Sequence, residues 1–270
     1  MYIHRLMSIV DLPIFFFVAG YFSKIGPDEP IKLFKRLLIP YILFSVIYTL
    51  CMIMIGSDTG VLFIETSFAL WFLIALFAMK IFLPIMDKFK YPVTISIILA
   101  LIIGFINIDP GILGITRFFA FYPVFLIGFY YNDYELELKN NHEKISNTLN
   151  NKRFIKIMRV LVLACLIAAA YLLPSKIIVL AEAYDYPLDI IKRFIVILLG
   201  IVATLILNKI FTNRKMIMTK VGENSYVVYL LHIYIVSLLS SSLLRKFLPA
   251  NEHVFLIEYF TSKNKIKQES

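Results

Sequence analysis

Eight long apolar runs, parted by short polar loops, set the terms on which this chain can fold. They cover Leu6–Phe22, Leu37–Ile55, Val61–Met79, Val93–Ile108, Ile115–Tyr131, Phe154–Leu173, Ile190–Leu207 and Tyr226–Leu244. Each is near the roughly 17–25 apolar residues that a helix needs to cross a bilayer. Hydrocarbon admits only helices and closed barrels, and continuous runs without period-two alternation point to helices. The chain is 60% hydrophobic and 17% charged, against about half and about a quarter in a soluble domain. One water-soluble core does not hide that surplus, so lipid must solvate part of it. The expected fold is all-α, a polytopic membrane helix bundle with about eight transmembrane helices. The seventh run is the weakest, because Lys192 and Arg193 lie in its first turn. Residues 1–248 form one membrane domain. Residues 249–270 hold a short apolar piece, "VFLIEYF", which reads as a truncated last helix, and a polar tail.

The loops alternate in charge. Lys24, Lys32, Lys35 and Arg36 follow the first run, Lys88 and Lys90 the third, Lys139, Lys144, Lys152 and Arg153 the fifth, and Arg214, Lys215 and Lys220 the seventh. "GSDTG" (56–60) and "NIDPGILG" (107–114) carry no Lys or Arg, and 174–189 sets Lys176 against Glu182, Asp185 and Asp189. Basic loops stay in the cytoplasm, which gives a multi-pass protein of a cell membrane, bacterial in type, whose first run crosses from outside to inside. An N-terminus left outside implies a preceding helix. The net charge of +9 then serves topology and lipid contact rather than nucleic acid. Arg5 before an apolar stretch resembles a signal peptide, but Asp11, Pro13 and the lack of a small-residue cleavage site argue against one. Cys51 and Cys165 fall inside apolar runs, which suits buried thiols and neither a disulfide nor a metal site.

A few polar residues interrupt the runs. Asp11 stands at the head of "VDLPIFFFVAGYFS", where a charge at a helix centre costs about 2.5–3.5 kcal/mol. Tyr41, Ser45 and Tyr48 share one helix face, as do Ser225, Tyr229 and His232. Such stripes face a bundle interior, either as part of a site or as hydrogen-bonded packing. His232 is a site residue or a satisfied core histidine. Trp71, one turn after Ser67, walls a pocket or packs at an interface. Arg117 orients a ligand, pairs with Asp11, or snorkels. Lys32, Lys35 and Arg36 suit an anion at the inner face, and equally an ordinary basic flank.

Four stretches, "LPIFFFVAGYFS" (12–23), "KLFKRLLIPYILFS" (32–45), "LWFLIALF" (70–77) and "VGENSYVVYLLHIY" (221–234), resemble the acyltransferase 3 family of multi-spanning membrane acyltransferases, close to its fucose 4-O-acetylase-like branch. "RFFAFYPVFLIGFYY" (117–131) adds weaker support. The resemblance implies an enzyme moving an acetyl group from acetyl-CoA, a co-substrate rather than a bound cofactor, to an extracytoplasmic carbohydrate hydroxyl in a capsule, exopolysaccharide or other envelope glycan. It implies a donor site at Lys32, Lys35 and Arg36. It implies a substrate pocket drawn from Asp11, Tyr41, Trp71, Arg117, Tyr229 and His232, with no metal. Two departures stand out. Asp11 occupies a place where the family has a histidine, and an aspartate does not share that side chain's titration range. The family's first helix, bearing an Arg and farther along the catalytic His, is absent: none of His4, His142, His232 and His253 follows an Arg at the family's spacing. The catalytic base is therefore unassigned, with His232 as the candidate. The expectation is a chain lacking the first helix and cut in the last, possessing doubtful activity alone; the rival is a non-catalytic membrane protein, such as a polysaccharide exporter component or an inert fragment.

Overall fold

Prolines and glycines decide how the apolar runs become packed helices. In the computed structural model, residues 2–55, 70–109, 112–141, 152–173, 180 and 182–211 are described. Helix α1 (Tyr2–Tyr21) carries Pro13 inside it, and the ring lies where a side chain on Gly200 would otherwise stand. Residues Glu29–Leu33 (α2) lead through a π-helical turn at Phe34–Leu38 into α3 (Ile39–Ile55). The turn has a cause in Pro40, which offers no N–H to the Arg36 carbonyl and crowds it, so the backbone takes in an extra residue. The Ile39 N–H bonds to the Phe34 carbonyl across that turn. Then come α4 (Trp71–Met86), α5 (Pro92–Ile102) with a 3-10 turn at Ile103–Phe105, α6 (Ile115–Phe129), α7 (Tyr131–Asn141), α8 (Lys152–Leu172) and α9 (Asp189–Phe211). No strand occurs among the described residues.

Helix α6 is the central element. Every residue from Ala120 to Leu126 is buried, and α1, α4, α5 and α9 pack around it. Two glycines let α1 approach closely: Gly20 lies against the Phe125 carbonyl, and Gly128 against the Phe17 carbonyl. Small residues at such crossings bring backbones together where lipid gives no hydrophobic drive for association. Aromatic rings fill the core between them, with Phe16 stacked on Phe121 at 5.1 Å and Tyr122 on Phe125 at 5.9 Å. Outward faces stay apolar: Phe15, Leu43, Leu50, Ile53, Leu163 and Tyr171 are exposed among the described residues. Such a belt is the kind of surface that lipid covers.

Contacts place the helix ends in two sets. The Tyr130 hydroxyl donates to Asp87 Oδ1 at 2.6 Å, and Tyr21 packs against Tyr131. The ends of α1, α4 and α6 therefore meet near Lys24, Lys88 and Lys90. At the far end, Gly114 abuts Trp71, and the Tyr184 hydroxyl reaches the Leu101 carbonyl at 2.9 Å. Arg193, 2% exposed, donates to the Glu182 and Leu180 carbonyls at 3.2 and 3.1 Å. It thereby ties the segment before α9 to that helix. Asp189 accepts from the Asp185 and Tyr186 backbone amides and pairs with Lys192 at 2.8 Å. Burial pushes the Tyr184 phenol above its usual range, and Arg193 partly offsets this.

The all-helical class agrees with the sequence. Two helical stretches, Glu29–Leu50 and Asp189–Asn208, are long and apolar enough to cross a membrane, and Ser8–Tyr21, Trp71–Met86, Pro92–Phe105 and Ile115–Phe129 are shorter apolar helices. The seventh run, with Arg193 and Lys192 in its first turn, becomes the more apolar of the two long stretches, at mean hydropathy 2.5. Its charges are spent on backbone carbonyls and Asp189 rather than on lipid. The third run is displaced: its described helix begins at Trp71, and Val61 to Ala69 lie outside the described residues. The eighth run and residues 249–270 also lie outside them.

Candidate functional site

Five of the positions singled out in the sequence, Tyr41, Ser45, Tyr48, Trp71 and Arg117, lie along helices α3, α4 and α6. At the far end, Trp71 opens α4 and is buried. The Arg117 guanidinium stands over its ring at 4.6 Å, a cation–π geometry. The sequence fixes this locally. Gly114 caps α6 in the left-handed region, φ +62, and a Cβ there would meet the Trp71 Cβ at 3.2 Å. A glycine at that place both makes the turn and lets α6 begin against the indole. Phe16 closes the other side, 6.2 Å from Trp71. A cation held over a buried ring, at one end of an apolar bundle, offers charge to a hydroxylated ligand.

In the first turn of α3, Tyr41 is buried at 2% and packs with Leu70 and Leu73. It shares a side-chain hydrogen bond with Ser45, which is also buried. Tyr48 packs against the same cluster. The stripe Tyr41, Ser45, Tyr48 therefore faces α4, as its helical spacing predicts.

At the other end, Lys32, Lys35 and Arg36 are exposed on successive turns. Lys32 pairs with Glu29 at 3.7 Å. Lys35 and Arg36 belong to the π-helical turn, which packs on α4. Helix α4 carries Lys80, half-buried, with Glu29 and Arg36 in electrostatic reach. Lys80 stands one residue past the end of the third apolar run, Val61–Met79, so hydropathy does not single it out. A lone lysine inside "LIALFAMKIFLPIM" was the available signal. Trp71 and Lys80 share α4 nine residues apart, a rise of about 14 Å.

Asp11 is exposed on the face of α1 shared with Phe15 and Val18, whereas Phe16 and Phe17 point into the core. The α1 face that packs on Trp71 is thus not the face that bears Asp11. Tyr229 and His232 lie outside the described residues, so the candidate base and the second polar stripe have no place in this geometry. A shallow apolar crevice lies between α1, α6 and α9, walled by Ile9, Pro13, Phe121, Leu180 and Val196, with Ser8 at its edge.

A family model described as an acyltransferase domain matches residues 1–260. No curated protein and no solved structure matches the chain.

Proposed function

This chain belongs to the acyltransferase 3 family, and from that premise we propose that it is a multi-pass membrane O-acyltransferase. It takes an acetyl group from cytoplasmic acetyl-CoA and delivers it to a hydroxyl of an extracytoplasmic carbohydrate in the cell envelope. Membrane acyltransfer is what the family carries; donor, acceptor and sidedness are our reading. The observation that supports it is the division of labour along α4. Cations gather at one end, around Lys35, Arg36 and Lys80, and an aromatic ring with a cation, Trp71 with Arg117, stands at the other.

In this reading the donor's phosphates sit at the basic end and its thioester reaches inward. The arm that carries the thioester in an acyl-CoA is of the order of the rise from Lys80 to Trp71. The acceptor sugar binds at the Trp71 end of the bundle, and Arg117, held over the indole, binds its oxygens. The sugar hydroxyl attacks the thioester carbonyl, a C–O bond forms, the C–S bond breaks, and the hydroxyl proton passes to a base. His232 is the candidate for that base. Tyr41 and Ser45 provide polar groups along the path. A carboxylate is a poor base for a sugar hydroxyl, and the role of the exposed Asp11 is in structure.

The test is the acetyl content of surface carbohydrate in cells expressing the protein, measured by mass spectrometry of released glycans. Acetyl esters should appear with the wild type, fall at least tenfold with Arg117→Met, and vanish with His232→Ala. A glycan exported in greater amount with no change in acetylation would favour the exporter instead.

A further inference from the structure

Helix α8 (Lys152–Leu172) has no acidic residue along its length, and its first turns carry Lys156 and Arg159. Both are exposed, and neither enters an ion pair among the described residues. They stand three residues apart, so their side chains are neighbours on the helix surface. The rest of that flank is apolar. Val160, Leu163 and Ile167 continue the Lys156 face along the helix, and all three are more than half exposed. The opposite face packs: Val162, Leu166 and Ala169 are buried in one cluster with Ile9 of α1 and Ala203 of α9. Protein therefore covers one side of α8 and leaves the other, cations included, to its surroundings. Arg159 lies inside the sixth apolar run, Phe154–Leu173, about 10 Å of rise beyond the start of the helix. A guanidinium within such a run is costly unless an anion meets it.

We propose that the start of α8 binds an anionic phospholipid, with the headgroup phosphate on Lys156 and Arg159 and an acyl chain along Val160, Leu163 and Ile167. The inference goes beyond acyl transfer and takes from the reading above only that the sixth apolar run lies in a membrane. The Cα–Cβ bonds of a helix tilt toward its N-terminus. Both cations therefore reach back toward the polar loop before α8, the level at which lipid headgroups lie. Snorkelling of this kind keeps the charge at the interface while the stem stays in the apolar layer. The arginine fork meets two oxygens of one phosphate, and the lysine sets a point charge beside it. The helix N-terminus adds its partial positive charge at the same end. A free anion would use those contacts alone, whereas a phospholipid also covers the apolar stripe that begins one turn beyond Lys156. A zwitterionic phospholipid brings a cation of its own to the same place and gains less. Each basic residue at a membrane surface strengthens attraction to anionic lipid about fivefold.

The experiment is native mass spectrometry of the purified full chain, released from detergent micelles into which phosphatidylglycerol or phosphatidylcholine is titrated. It reads an apparent Kd for each lipid. Wild type should hold phosphatidylglycerol more tightly than phosphatidylcholine, by a margin that narrows as ionic strength rises. Lys156→Gln with Arg159→Gln should weaken phosphatidylglycerol about thirtyfold, two charges at about fivefold each, and leave phosphatidylcholine unchanged. Lys156→Arg with Arg159→Lys, which exchanges the two cations, should keep most of the affinity. Lys88→Gln with Lys90→Gln removes the same charge from another basic loop and should leave phosphatidylglycerol binding unchanged. Arg159→Gln alone, with a loss of about fivefold, serves should the double variant not fold. Excess inorganic phosphate should not displace the lipid. Equal binding of the two lipids by wild type, or an α8 variant that binds as wild type does, overturns the inference. An equal loss in the Lys88 and Lys90 variant would assign the effect to overall charge and overturn it too, and displacement by inorganic phosphate would make the place a free-anion site instead. No arm reads acetyl transfer, so a failure of the acyltransferase reading leaves these outcomes unchanged.

Discussion

Alanine at Gly20 or Gly128 should pry α1 from α6. A Cβ built on Gly20 overlaps the Phe125 carbonyl, and one built on Gly128 overlaps the Phe17 carbonyl. An ordinary carbon–oxygen contact is about 3.3–3.6 Å, so the backbones must part by about 1 Å or more for each. Overpacking costs about 1–3 kcal/mol. A backbone carbonyl cannot rotate away as a side-chain tip would, which puts these two sites near about 3 kcal/mol. Alanine recovers about 1 kcal/mol over glycine in a helix interior. The net expectation is a loss of about 2 kcal/mol for either variant. One separation relieves both overlaps while each alanine recovers its own share, so the double variant should cost about 1 kcal/mol rather than the additive 4. Gly26→Ala is the control: its Cβ would meet only Glu29 Cγ, at 3.7 Å, and should stay within about 0.5 kcal/mol of wild type. Denaturant unfolding in detergent, followed by the fluorescence of Trp71, the one tryptophan in the chain, measures all four. Gly20→Ala as stable as wild type, or a strictly additive double variant, would refute the close crossing.

Arg193→Met should destabilise the protein by about 3 kcal/mol, since two carbonyls lose a charged donor, and should speed protease cleavage between 180 and 189. Gly114→Ala should cost about 1–2 kcal/mol for a left-handed residue and shift Trp71 emission, because its Cβ crowds the indole. Tyr184 has a folded pKa above its ordinary 10.0, so its contribution is full below pH 10 and is lost as pH rises through the folded value. The wild-type minus Tyr184→Phe stability difference should therefore shrink in alkali, and a difference flat from pH 8 to 12 would contradict it. Cysteines placed at Asn141 and Asn107 should react with an impermeant thiol reagent in intact cells only at Asn107; labelling of Asn141 would overturn the orientation.

Much of the fold was written in hydropathy, because a residue facing lipid and a residue facing a core are both apolar and both mark helix. The same degeneracy hid the ends of the helices. The third run was drawn from Val61 to Met79, whereas its described helix spans Trp71–Met86, and that displacement concealed Lys80. Lys192 and Arg193 weakened the seventh run in the sequence because hydropathy counts a charge without its partners. In the structure Arg193 meets two carbonyls and Lys192 meets Asp189. The Tyr41, Ser45, Tyr48 stripe was legible because helical periodicity alone decides a shared face. The pairing of Arg117 with Trp71 was not, since it depends on α4 and α6 starting at the same end with Gly114 between them. Gly20 and Gly128 left no sequence signal of their own, because the carbonyls they admit come from distant positions.

Sealed inverted membrane vesicles containing the protein and its lipid-anchored or enclosed glycan test the central claim most directly. Radiolabelled acetyl-CoA is supplied only outside the vesicles, against the face that carries Lys35, Arg36 and Lys80. The account predicts that label appears as base-labile ester on enclosed carbohydrate, that Lys35→Glu with Arg36→Glu reduces it at least tenfold, and that enclosed acetyl-CoA gives none. Ester label formed equally from donor on either side, or undiminished by the charge reversal in folded protein, would contradict it.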